Sequence, residues 1–367
     1  MGSAGEPVDG AAPRPPHAPD LLLVPRARAA AVRRLAEELL PGRTVALSTH
    51  ISADGDGCGS EAAFARLLTA AGLKPRIVNP TPWPGAFEFV RGSDVIDRSA
   101  EGPAALADID VLVVLDISDV RRLGALTETV RALDVPKLVI DHHLPGEDPP
   151  GSLIFSDTTA CATGELVFDF AVTMGWPIGR AVAMALYTAL LTDTGGFRFS
   201  NTSPRCHAIA GYLLTLGVEP EEMYRSVYAS VPVGRLQILR EALATIEVDT
   251  AHAIAWISLP AGVLERYGLT SEDIEGIVEH PRSIVGTRLA LFFRDLGHGK
   301  VKVSFRSTGD VDVNRFARQF GGGGHARAAG ALIAGSFDAV RAQVIAAARD
   351  YVGPATTEGR RPVAFTP

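Results

Sequence analysis

The sequence predicts an α/β protein in two parts: a doubly wound, mainly parallel sheet in an N-terminal domain, then a helical linker and a second, smaller α/β domain. Three observations carry this. Short apolar runs alternate with stretches of helical spacing through the first half of the chain, the pattern of strands joined by crossover helices. The run Val111-Leu112-Val113-Val114-Leu115 is continuously apolar, as expected of a strand buried on both faces. The length of 367 residues exceeds what one hydrophobic core ordinarily holds.

Taken in order, residues 1–20 are rich in Pro, Gly and Ala and read as a disordered leader. Residues 44–48 read as the first strand, followed by a polar loop with flanking glycines and a helix over 61–71. Strands follow at 111–115 and 137–140. Helical spacing then dominates at 164–174, 181–191, 204–216 and 233–245, with Ser203 as the cap of the helix that Pro204 opens. Strands at 253–259, 287–293 and 301–306 begin the second unit. The expected layout is a catalytic domain over 21–220, a linker over 221–248, a substrate-binding domain over 249–352 and a disordered tail over 353–367.

Composition excludes several classes. The chain carries 35 basic and 42 acidic side chains, a formal charge of -7, which argues against a broad basic surface for long duplex nucleic acid. Three cysteines, Cys58, Cys161 and Cys206, show no Cys-x-x-Cys spacing, so neither a disulfide framework nor a thiolate zinc site is expected, and a reducing cytoplasm fits best. No apolar run is long enough for a membrane span.

Each strand of the first half runs into a potential metal ligand. His50, Asp54 and Asp56 follow the first, Asp116 the second, and Asp141-His142-His143 the third; Asp193 follows the helix ending at Leu191-Thr192. Any one of these residues alone is better explained as a turn former or a helix cap. Together they place carboxylates and imidazoles at the carboxyl edge of one sheet, where ligands collect in such folds. So much negative charge in one place is unfavourable without cations. Mixed imidazole and carboxylate ligands without thiolate suit Mn²⁺, Fe²⁺, Co²⁺ or Zn²⁺. In an extended loop Asp54 and Asp56 would diverge and serve two ions, with Asp116 placed to bridge them.

The segments His50-Ile51-Ser52-Ala53-Asp54-Gly55-Asp56-Gly57-Cys58-Gly59-Ser60, Leu115-Asp116, Asp141-His142-His143 and Thr192-Asp193-Thr194-Gly195 resemble the four motifs of the DHH phosphoesterase superfamily. Asp312-Val313-Asn314 and the run from Phe320 to Gly330 resemble its DHH-associated C-terminal domain. Within the superfamily the likeness is to bacterial nanoRNase/pAp phosphatases and mycobacterial-type cyclic-di-AMP/pApA phosphodiesterases. It covers roughly residues 25 to 350. One departure is Ala53, where the family often has proline; it touches loop rigidity more than metal binding.

The resemblance implies that His50, Asp54 and Asp116 hold one divalent cation, and Asp56, Asp116, His142 and Asp193 a second. It implies Mn²⁺ first, with Mg²⁺ or Co²⁺ as alternatives. His143 would face the substrate phosphate, and Asp141 would orient an imidazole. Arg198, Arg306, Asn314, Gly323, Gly324, His325 and Arg327 are the expected substrate contacts; the glycines would let backbone N–H groups approach a phosphate. Arg198 would also offset the charge of Asp193. The expected reaction is in-line attack by metal-bound hydroxide on the phosphorus of short nucleotides, namely nanoRNA, pApA or cyclic-di-AMP, and 3′-phosphoadenosine 5′-phosphate, by a homodimer. Alternatives are an inorganic pyrophosphatase or polyphosphatase on the same motifs, a non-catalytic nucleotide-binding regulator, and a processive exonuclease. Intact ligand types weigh against the regulator, and the acidic balance against the exonuclease.

Overall fold

The structure is a computed structural model that describes residues 21–355 except 272, 275 and 325. The expected leader, most of the expected tail, and His325 therefore lie outside the described residues. The chain divides into two compact units between Ser230 and Val231.

Unit 1 is built on five strands, β1 (Thr44–Ser48), β2 (Lys74–Ile77), β3 (Val111–Leu115), β4 (Lys137–Asp141) and β5 (Leu153–Ser156). Their order is β2-β1-β3-β4-β5, and every pairing is parallel. Its helices are α1 (Arg26–Ala36), α2 (Gly55–Ala70), α3 (Glu88–Arg91), α4 (Thr127–Ala132), α5 (Thr163–Met174), α6 (Arg180–Asp193), α7 (Pro204–Thr215) and α8 (Pro220–Tyr228). Both faces of the sheet are covered, and the two-residue period of a strand sorts the side chains between them. Val45, Leu47, Val111, Val113 and Leu115 join the core formed with α1, α2, α5, α6 and α7. Ala46, Leu112 and Val114 face a second cluster containing Leu106, Val120, Leu123 and Val130. This is the doubly wound arrangement that the continuous apolar runs predict.

One expectation is corrected. The segment from Gly55 to Ser60 is not an extended loop: α2 begins at Gly55, six residues before the predicted start. Asp54 is its N-cap, accepting from the N–H groups of Asp56 (3.0 Å) and Gly57 (3.1 Å). A cap followed by small residues leaves little apolar periodicity, so spacing alone starts the helix late. Ser203 caps α7 as expected, accepting from the N–H of Cys206 at 3.0 Å.

Unit 2 carries a six-stranded mixed sheet in the order β10-β11-β9-β8-β7-β6. The strands are β6 (Glu247–Asp249), β7 (Ile254–Leu259), β8 (Leu289–Asp295), β9 (Lys300–Ser307), β10 (Gly323–Gly324) and β11 (Ala328–Ala334). Only β7 and β8 pair in parallel. Among its helices, α12 (Val313–Arg318) and α13 (Phe337–Val352) pack on one face, while α9 (Val233–Ala244), α10 (Val263–Arg266) and α11 (Glu279–Arg282) accompany the other. Within the glycine-rich run, Gly323 and Gly324 form an edge strand against β11.

Candidate active site

The carboxyl ends of β1, β3 and β4 lie side by side in unit 1 and deliver His50, Asp116 and Asp141-His142-His143 to one edge of the sheet. Asp54 and Asp56 arrive on the first turn of α2, and Asp193 on the last residue of α6. Three overlapping groups of donor atoms could each hold a metal ion: His50, Asp54 and Asp116; Asp56, His142 and Asp193; Asp116, His142 and His143. Asp116 sits between the histidines. Its Oδ2 is 3.4 Å from His50 Nε2, and its Oδ1 is 3.7 Å from His142 Nε2. His142 Nε2 is also 3.7 Å from both Asp56 and Asp193.

The imidazoles are oriented from behind. His50 Nδ1 lies 2.9 Å from the carbonyl of Ile51, and His142 Nδ1 lies 3.3 Å from that of Ala160. A ring that donates from Nδ1 presents its Nε2 lone pair forward. Both Nε2 atoms are buried without a hydrogen-bond partner, an arrangement that costs free energy unless something occupies the donor position. Asp141 does orient an imidazole, and it is that of His143: Oδ1 is 2.8 Å from Nδ1.

The buried carboxylates are gripped by the N-terminus of α5. The N–H groups of Thr163 and Gly164 donate to Asp56 at 2.6 and 2.9 Å, and the Thr163 hydroxyl donates to Asp116 at 3.0 Å. Ser60 donates to Asp56 from one turn along α2, at 3.1 Å. The helix terminus favours negative charge there, yet the balance remains unfavourable. Burial, then the charges of Asp116, Asp193 and Asp54, push the Asp56 carboxyl well above the usual range. Burial also pushes Asp193 up to about 6, with Asp116 and Asp54 adding to it against the pull of His142. Burial opposes charge on His50, but Asp116 and Asp54 hold its ring up at about 10. A proton is retained at a point where a divalent cation would relieve the same repulsion. The donor set therefore fits divalent metal. Asp116 also has a left-handed backbone, φ 63°, a conformation that costs most residues about 1–2 kcal/mol and that collects at functional sites.

Arg198 does not meet Asp193. Its Nε donates to the carbonyl of Gly195 at 2.5 Å, and the carboxylate of Asp193 accepts from Asn201 Nδ2 at 3.1 Å. Asn201, Thr163 and Gly164 escape sequence reasoning because polar residues at a helix start and in a loop have no distinguishing spacing. Of the contacts expected in unit 2, the described ones lie on β9, α12, β10 and the turn before β11. Arg306 pairs across the sheet with Ala328, next to Arg327, and Asn314 Oδ1 accepts from the N–H of Gly324 at 3.1 Å. Arg306 is tied to Glu279 at 3.2 Å, and Arg327 to the carbonyl of Val311 at 3.3 Å.

A ligand arc of this kind at the edge of a parallel sheet, with a mixed-sheet unit after it in the chain, marks a phosphoesterase of the DHH class. The comparisons agree: residues 44–190 match the model of the DHH family, N-terminal domain, and residues 254–353 that of the DHHA1 domain. The chain belongs to the DHH family of phosphoesterases. More particularly, it is 30% identical over 308 residues to a Thermus thermophilus protein named bifunctional oligoribonuclease and PAP phosphatase NrnA, covering 83% of this chain and 89% of that one. A Bacillus subtilis protein of the same name is 28% identical, covering 79% and 89%. Among solved structures, an exopolyphosphatase-related protein from Bacteroides fragilis superposes with a TM-score of 0.81 at 27% identity, covering 88% of this chain and 96% of that one. No helix among the described residues is long and apolar enough to cross a membrane.

Proposed function

We propose that this phosphoesterase is a two-metal hydrolase of short nucleotides: RNA of a few residues, pApA or cyclic-di-AMP, and 3′-phosphoadenosine 5′-phosphate. The observation that carries it is Asp116, whose two carboxylate oxygens face two separate histidines. On this reading His50, Asp54 and Asp116 hold one cation, and Asp56, Asp116, His142 and Asp193 the other, with Mn²⁺ as the favoured ion. Such cations, when bound, supply Lewis acidity and neutralise charge on the phosphoryl oxygens.

The chain's own part is positioning and proton transfer. Asp141 holds His143 by Nδ1, leaving Nε2 free to protonate the leaving oxygen. Burial works against charge on this ring, but Asp141 and Asp116 raise its pKa and keep the proton available. Arg198, Arg306, Asn314, Gly323, Gly324, His325 and Arg327 remain the proposed substrate contacts. Assembly as a homodimer and a reducing cytoplasm belong to the same reading; the free, buried cysteines bear on the second of these alone.

The names of the relatives favour a nucleotide substrate, while the exopolyphosphatase-related neighbour keeps hydrolysis of inorganic phosphate chains as the second reading. The test is purified protein with Mn²⁺ on pApA and on pyrophosphate. AMP release from pApA should dominate, and Asp116→Ala should lower turnover by about 10³-fold or more. Full activity in Asp116→Ala would remove the proposed site.

A further inference from the structure

Among the described residues, three aromatic side chains are exposed: Phe199 at 49%, Tyr224 at 56% and Tyr228 at 37%. Phe199 and Tyr228 border the Gly195-Gly196 loop that follows Asp193, and Tyr224 lies beyond Tyr228. Three successive residues after Thr194 have left-handed backbone, Gly195 (φ 58°), Gly196 (φ 71°) and Phe197 (φ 63°). Phe197 turns inward, with ring centroids 5.9 Å from Tyr187 and 5.3 Å from His207, and so anchors the loop. Phe199 is left outside and lies on Gly195, where an added Cβ would stand 2.4 Å from its ring. The Arg198 guanidinium carbon is 5.8 Å from the same ring centroid. From the other side, Tyr228 donates its hydroxyl to the carbonyl of Leu191, two residues before Asp193, at 3.1 Å. Its ring reaches Gly196 and stands 5.2 Å from that of Tyr224.

Exposed rings grouped together, unlike apolar side chains scattered singly, mark a binding surface. A nucleobase suits them: its flat face stacks on aromatic rings whatever its sequence, and a guanidinium extends the platform. An inorganic phosphate chain has nothing to offer these rings. We propose that Phe199, Tyr224 and Tyr228 form a stacking wall for the base next to the phosphate held at the metal cluster. On this proposal the wall, more than the cluster, makes the substrate a nucleotide. The proposal rests on the short-nucleotide reading of that cluster and adds the group that selects the substrate.

The experiment compares kcat/KM of the Mn²⁺-loaded full chain on pApA and on the same phosphorylated dinucleotide backbone without bases. Phe199→Leu and Tyr224→Leu should each cut the ratio of the two values about tenfold, mainly through KM. Phe199→Tyr, which keeps a ring, should lose less. Calorimetric titration of AMP and of inorganic phosphate reads the same contact without turnover, and the leucine variants should weaken AMP alone. A ratio that holds in both leucine variants, or equal losses on both substrates, overturns the wall. A wild-type enzyme that hydrolyses neither substrate refutes the short-nucleotide reading itself, and the wall falls with it.

Discussion

Glu61 is fully buried on α2, and only one of its oxygens has a partner: Oε2 accepts from Asn79 Nδ2 at 2.8 Å, while Oε1 has none. Asn79 in turn accepts the N–H of Thr49 at 2.9 Å, next to His50. Burial pushes Glu61 up to about 8, and the Asn79 hydrogen bond only partly offsets it. The sign follows directly. A carboxyl whose folded pKa lies above its unfolded value binds its proton more tightly when folded. Its contribution is complete below pH 4.5 and is lost as pH rises towards 8, at about 1.4 kcal/mol per pH unit. Glu61→Gln should therefore gain stability relative to the wild type as pH increases from 5 to 8, in urea melts of the metal-free protein. Parallel curves would show that Glu61 does not titrate there. None of this was legible in sequence, where Glu61 is one polar residue in a helix. The candidate ligands that converge at this edge were legible because four segments carry them in recognisable strings.

At the scale of elements, the site depends on how closely α2 and α6 approach, since one brings Asp54 and Asp56 and the other Asp193. Gly59 sets that distance: a Cβ there would stand 2.5 Å from the carbonyl oxygen of Ala185 and 2.9 Å from the N of Ala189. Backbone atoms cannot swing aside. Gly59→Ala should cost about 1–3 kcal/mol and should weaken Mn²⁺ binding at the same time. Thermal melts and calorimetry check both effects, and an unchanged melting temperature would refute the tight crossing. Strand legibility followed burial. β3, buried along its whole length, shows as an apolar run. The edge strand β2, Lys74-Pro75-Arg76-Ile77, has one buried residue and offers no pattern.

For the whole molecule, metal binding and folding of unit 1 should be linked. The candidate ligands come from four segments and meet only in the folded state, so Mn²⁺ at a hundredfold excess over its Kd should add about 2.7 kcal/mol of stability, reversed by chelation. Hydrogen exchange should place the added protection in unit 1, around residues 48–60, 115–118, 140–143, 160–165 and 190–201. Protection spread evenly over both units, or none at all, would contradict a cation site confined to this edge.

The amino-acid sequence by itself determined the fold class and the chemical kind of site. Apolar runs follow from burial on two faces, and a carboxylate or imidazole after each run follows from the rule that ligands collect at strand ends. Tertiary structure decided how those groups work together. Only folding shows that Asp54 is a helix cap, that Asp141 serves His143, that the start of α5 grips Asp56 and Asp116, and that Asn201 holds Asp193 in place of Arg198. The reason is physical: each of these depends on distances between residues far apart in the chain, and spacing along a sequence carries no such distances.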